Sequence, residues 1–203
     1  LDSHTDTSLR LLDDDFNFTK KHDPYNTGSR IDLPRMKEGG LDAAFFAVFI
    51  GQGKRNPEKY KEVKERSIKI FNAIHELVDE NNNEMGIALN PEDAAQLKKE
   101  NKKAIYIGIE NGYPIGKDVS LIRDFYDLGA RYITLCHTKN NDICDSSTDP
   151  DGSEHNGLSE FGEDVVAEMN NLGLMVDVSH ISDSAFYDVL EYSKAPVIAS
   201  HSC

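Results

Sequence analysis

A chain of 203 residues with 36 Asp and Glu against 22 Lys and Arg carries a formal charge of −14 and has a pI near 4.8. That balance argues against a nucleic-acid partner, because phosphate binding draws on clustered Lys and Arg. The longest apolar run, residues 43–50, falls far short of the roughly 20 residues that span a bilayer, so no transmembrane segment is expected.

With 38% hydrophobic and 29% charged residues, the composition is that of a soluble globular chain, long enough for one large domain or two small ones. Three cysteines, Cys136, Cys144 and Cys203, are odd in number and match no zinc-finger spacing, which leaves the redox compartment open.

The first element is Leu1-Asp2-Ser3-His4-Thr5-Asp6, read as a strand in which His4 and Asp6 share a face because side chains alternate. An imidazole beside a carboxylate suits a metal ion, although such a pair can also decorate a surface terminus. Residues 41–50 form a nearly continuous apolar run closed by Gly51-Gln52-Gly53, which predicts a strand buried on both faces. Residues 57–81 place Val63, Ile70, Ile74, Leu77 and Val78 at helical spacing between Pro57 and a run of three Asn. A short helix is predicted over 91–102, a strand over 104–110, a helix over 119–128 and a strand over 131–137. The polar stretch 138–156 has no clear period and is long for a connector, as functional loops often are. Helices over 160–172 and 183–193 and strands over 174–178 and 196–200 complete the chain.

Strands alternating with helices predict an α/β fold with a parallel sheet. Six strands fit a doubly wound open sheet, or the first six units of a (β/α)8 TIM barrel, which typically takes about 250 residues. Both ends fall against predicted strands and look cut. Residues 1–203 are therefore expected to be one barrel domain, incomplete in its late strands, of a longer protein.

The strand ends share a chemistry. His4 and Asp6 close the first strand, Glu110 the third, His137 the fourth, His180 the fifth and His201 the sixth. In a parallel barrel these ends converge on the face that holds the active site. Each has a plain structural alternative: a strand-end His can simply bond to neighbouring backbone, and Glu110 before Asn111-Gly112 can be a turn residue. His155 in the polar loop reads as a solvated surface residue, and His75 as surface or helix packing. The joint pattern is harder to explain that way, because gathering so many ionisable groups is costly unless a cation offsets it. Imidazole and carboxylate together suit zinc or another borderline divalent metal. A carboxylate flanked by a His/Asp pair and a His/His pair would give a two-metal site.

The stretches DSHTD, GIENG, GARYITLCHTKNNDICDSS, GLSEFGEDVVAEMNNLGLMVDVSHIS and KAPVIASHS together resemble the membrane (renal) dipeptidases, zinc-dependent members of the amidohydrolase-like metal-dependent hydrolases. The resemblance runs along the whole chain. It implies that His4 and Asp6 bind one zinc, that Glu110 bridges two, and that His180 and His201 bind the second. It implies a substrate contact near the scissile carbonyl for His137. The implied reaction is hydrolysis of a small dipeptide with a free C-terminal carboxylate, sometimes bearing a D-residue there, by metal-activated water. The family's late-strand aspartate and its arginine for the substrate carboxylate are expected beyond Cys203, and the loop over 142–156 is expected at the pocket rim. A homodimer is left open, and the location leans to exported or cell-envelope. Two rival readings remain: another barrel hydrolase acting on a lactone, cyclic amide or phosphotriester, and a non-catalytic binding relative.

Overall fold

The structure is a computed structural model that describes residues 1–26 and 29–202, so Cys203 lies outside the described residues. Among the described residues six strands alternate with six α-helices. In order they are β1 (Asp2–Thr5), α1 (Leu33–Glu38), β2 (Ala43–Phe49), α2 (Pro57–Glu80), β3 (Met85–Ile87) and α3 (Pro91–Lys99). There follow β4 (Lys103–Glu110), α4 (Leu121–Asp127), β5 (Ala130–Thr134), α5 (Glu160–Leu172), β6 (Met175–Asp177) and α6 (Asp183–Tyr192). The strands hydrogen-bond in the order β1-β2-β4-β5-β6, with β3 beside β4. Every pair with a defined register is parallel, as expected when a helix returns the chain between strands.

The chain packs as two compact units, one of Leu1–Val48 with Ile68–Gly108, the other of Phe49–Ser67 with Ile109 onward. In the first, β1 lies beside β2 with Asp2 opposite Ala44 and Thr5 opposite Phe46. Every residue of β2 from Ala43 to Val48 is buried, which is why its sequence runs apolar without alternation. Phe46 is fully buried and meets the edge of Phe18 at 5.4 Å. Ile70, Phe71, Ile74 and Val78 bury one stripe of α2, while the Lys and Glu of that helix stay outside it. Asp32 starts α1: its carboxylate accepts the backbone N–H of Arg35 at 2.9 Å and of His22 at 2.8 Å, and pairs with the Arg35 guanidinium. Burial pushes the Asp32 carboxyl up, but these donors together hold it below the usual range.

In the second unit β5 and β6 pair in register, Tyr132 with Met175, Ile133 with Val176 and Thr134 with Asp177. Ser159 caps α5 by accepting the Gly162 N–H, and Val165, Val166, Met169 and Leu172 bury its inner stripe. The helix stops at Gly173, whose φ of 73° is a left-handed conformation that glycine adopts without a Cβ penalty.

Four short elements were not expected, one of them a 3-10 turn over Tyr113–Ile115. The others are α1, β3 and a 3-10 turn over Asp6–Leu12, each too brief to show a period. The expected strand over 196–200 is reduced to one parallel bridge, in which Ile198 lies beside Asp177. The predicted strand 131–137 ends at Thr134, so Leu135, Cys136 and His137 leave the ladder. No helix among the described residues is long and apolar enough to cross a membrane.

Candidate metal centre

In the first unit, β1 ends at Thr5, and Asp6 opens the 3-10 turn instead of closing the strand. Thr5 is extended and its hydroxyl accepts the Thr7 N–H, which redirects the chain at that point. His4 and Asp6 still come together, with Nε2 3.6 Å from Oδ1. Their exposure differs: the His4 side chain is 9% exposed and that of Asp6 61%.

The second unit assembles four of the expected residues. Glu110 is the last residue of β4 and is buried. Its Oε1 lies 3.1 Å from His180 Nε2, 3.4 Å from His201 Nε2 and 3.5 Å from His137 Nε2. His180 and His201 face each other through Nε2 at 2.7 Å. The His137 ring is held edge-on by Phe49 at 4.8 Å and lies 4.3 Å from the ring of His180. Three imidazole nitrogens turned toward one carboxylate oxygen are a nitrogen-and-oxygen donor set of the kind that holds a borderline divalent cation. Glu110, His137 and His180 each offer a ligand atom, all within 4.8 Å of one another. The residues fit a metal.

The backbone explains how residues so far apart in sequence arrive together. His137, His180 and His201 each sit three residues past a ladder position, at Thr134, Asp177 and Ile198. His180 adopts a φ of 69°, a left-handed conformation uncommon for a residue with a side chain. Such strain persists only where surrounding contacts over-determine it, and it concentrates at functional sites. Here Ser147 N–H donates to the His180 carbonyl at 2.9 Å, and Ser182 N–H donates to the Asp145 carbonyl at 2.8 Å. Asn111, just past Glu110, also has a positive φ, 78°. Its amide donates to the Ile50 carbonyl at 2.8 Å, and its carbonyl accepts from Asn141 at 3.0 Å.

The polar loop is ordered by one residue that sequence reasoning passed over. Asp145 is buried, and its carboxylate accepts the Ser153 hydroxyl and the backbone N–H groups of Glu154, His155 and Gly157 at 2.5–3.0 Å. Burial pushes this carboxyl up, but the four donors outweigh it and hold the group below its usual range. His155 is not the solvated residue expected. Its side chain is 20% exposed, and Nε2 lies 2.8 Å from the Asn141 carbonyl, which draws the loop inward. His75 is half-buried within α2, as a packing residue would be. His22 stacks on Phe16 at 4.6 Å and bonds to the Asn17 carbonyl, so it belongs to local structure. Lys139, Asn140, Asp149 and Glu154 of the loop line an open cavity of about 380 Å³ with Gln52 and Arg55.

The chain is similar throughout to known proteins. The family model described as membrane dipeptidase (peptidase family M19) matches residues 1–203. Dipeptidase tcpJ of Claviceps purpurea is 34% identical over 195 residues, which are 94% of this chain and 44% of that protein. The probable dipeptidase PvdM from Pseudomonas aeruginosa superposes with a TM-score of 0.81 at 32% identity, covering 91% of this chain and 47% of its own. The structure of dipeptidase AC, a metallo peptidase of family M19, gives a TM-score of 0.83 at 25% identity over 98% of this chain and 61% of its own. The chain thus spans about half the length of the curated relatives it matches. The parallel strand–helix arrangement expected of a partial barrel is observed, and the family implies dependence on a metal. On a match that runs from the first residue to the last, the chain belongs to the membrane dipeptidase family, peptidase family M19.

Proposed function

We propose that this chain carries the metal-binding part of a dipeptidase that cleaves dipeptides with a free C-terminal carboxylate, including some with a D-residue at that end. The observation that carries the reading is the convergence of three histidine Nε2 atoms, within 3.1–3.5 Å, on Oε1 of the buried Glu110. A binding protein without chemistry has no need of such a costly cluster. In this reading Glu110 would serve as a ligand to two zinc ions, His4 and Asp6 would hold one of them, and His180 and His201 would hold the other. Zinc bound there would polarise the scissile carbonyl and lower the pKa of a water.

The protein's own groups divide the remaining work. Glu110, whose buried carboxylate faces three imidazoles, supplies the negative charge that balances bound cations. In this reading His137, whose ring meets the edge of Phe49, donates a hydrogen bond to the carbonyl oxygen as negative charge develops on it. In this reading the loop over 142–156, pinned by Asp145, forms part of the pocket rim.

A substrate panel tests the reading against the other barrel hydrolases. The protein is expected to hydrolyse dipeptides and to lose that activity when the C-terminal carboxylate is amidated. Turnover of a phosphotriester or a lactone with no dipeptide cleaved would replace the dipeptidase reading.

A further inference from the structure

Asp177, the last residue of β6, is fully buried and takes no part in the mechanism above. Its carboxylate accepts five hydrogen bonds. Three come from the hydroxyls of Thr134 at 2.5 Å, Ser179 at 2.7 Å and Ser200 at 2.6 Å. Two come from the backbone N–H groups of Ser179 and Ser200, both at 3.0 Å. Two of these partners immediately precede His180 and His201 in the chain.

The proton count at Ser200 is informative. A serine hydroxyl has one proton to give. At Ser200 it goes to Asp177 Oδ2, so toward any other neighbour that oxygen can only accept. Ser200 Oγ lies 2.9 Å from His201 Nδ1. The ring proton of neutral His201 is therefore held on Nδ1, and the lone pair is left on Nε2, the atom turned toward Glu110. Ser179 supports the same residue from the backbone side: its Oγ donates to Asp177 and accepts the His201 N–H at 3.2 Å.

We propose that Asp177 is a positioning residue of the metal centre, acting through the Ser200 hydroxyl to fix the tautomer and ring orientation of His201 so that Nε2 is presented to a cation. The inference rests on the reading of His201 as a metal ligand. Metal-binding imidazoles commonly give their other N–H to a carboxylate or carbonyl, and such partners carry about 10–100-fold in metal affinity. In this chain a serine stands between the carboxylate and the ring, so Asp177 acts at one remove.

Asp177 is too enclosed for a clean substitution, and the test uses its partners on the whole protein. Ser200→Ala and Thr134→Val each remove one hydroxyl from the same oxygen, Oδ2, but only the first interrupts the path to His201. Zinc affinity is measured by chelator competition, and the His201 tautomer by 15N NMR of the metal-free protein. Ser200→Ala is expected to weaken zinc binding by roughly 10–100-fold and to spread the ring proton over both nitrogens. Thr134→Val is expected to keep the Nδ1–H tautomer and an affinity within about threefold of the parent, since its lost bond leads to no ligand. Equal losses in the two variants would reduce Asp177 to a structural role and overturn the proposal. So would a Ser200→Ala protein with the parent tautomer and affinity. If the parent protein binds no zinc, the metal reading fails, while the tautomer comparison still decides whether the relay exists.

Discussion

Glu110→Gln is expected to leave the protein with less metal than a change at either single-ion pair, and to lower dipeptide turnover by about 10³-fold or more. The substitution keeps the shape of the side chain and removes its charge. In the proposed site only Glu110 would touch both ions, whereas His4 with Asp6, or His180 with His201, would touch one. Three imidazoles already face the Glu110 Oε1, so a neutral amide there would also aim N–H donors at nitrogen atoms that need to present lone pairs. A bound cation supplies several kcal/mol of charge stabilisation in such reactions, and about 4 kcal/mol corresponds to a 10³-fold rate difference. Metal content and turnover are measured on the same preparation. A Gln variant with its full complement of metal and normal turnover would remove the bridging role.

The second large effect separates His137 from the metal ligands. His137→Ala is expected to keep the metal content of the parent and to lose about 10²–10³ in kcat, the usual cost of one oxyanion donor. The distances make this a demanding prediction, because His137 Nε2 lies at 3.5 Å from Glu110, close to the 3.4 Å of His201. What sets His137 apart is its support: its ring is held by the edge of Phe49, while the Nδ1 of His201 is engaged by Ser200. Loss of one ion in His137→Ala would make it a ligand and leave the substrate contact to be found elsewhere.

Much of this was legible in the sequence, for identifiable reasons. The β2 and β4 segments are buried along nearly their whole length, so each shows as an unbroken apolar run. Helix α5 carries a Ser cap, a clear apolar stripe and a Gly stop, and its bounds coincide with those expected. The ligand-type residues stood out because His and Glu are costly at strand ends unless something offsets them. Where the expectation failed, the ordering force was not local. Met85-Gly86-Ile87 is a strand only because Lys103–Ile105 of β4 lies beside it. Residues 196–200 have the composition of a strand, yet only Ile198 finds a ladder partner. The loop after His137 looked featureless because its order comes from the Asp145 carboxylate, a side-chain hub that leaves no period in the sequence. Asp177 was passed over for the same reason: its partners Thr134 and Ser200 are 43 and 23 residues away along the chain.

The central claim is that this cluster of histidines and carboxylates exists to hold metal for peptide hydrolysis. Elemental analysis of the intact wild-type protein, purified without added chelator, tests it most directly. Two zinc ions per chain, with dipeptide hydrolysis lost on their removal and restored on their return, is the predicted result. A protein that contains no metal, takes none up when it is offered, and hydrolyses no dipeptide would contradict it.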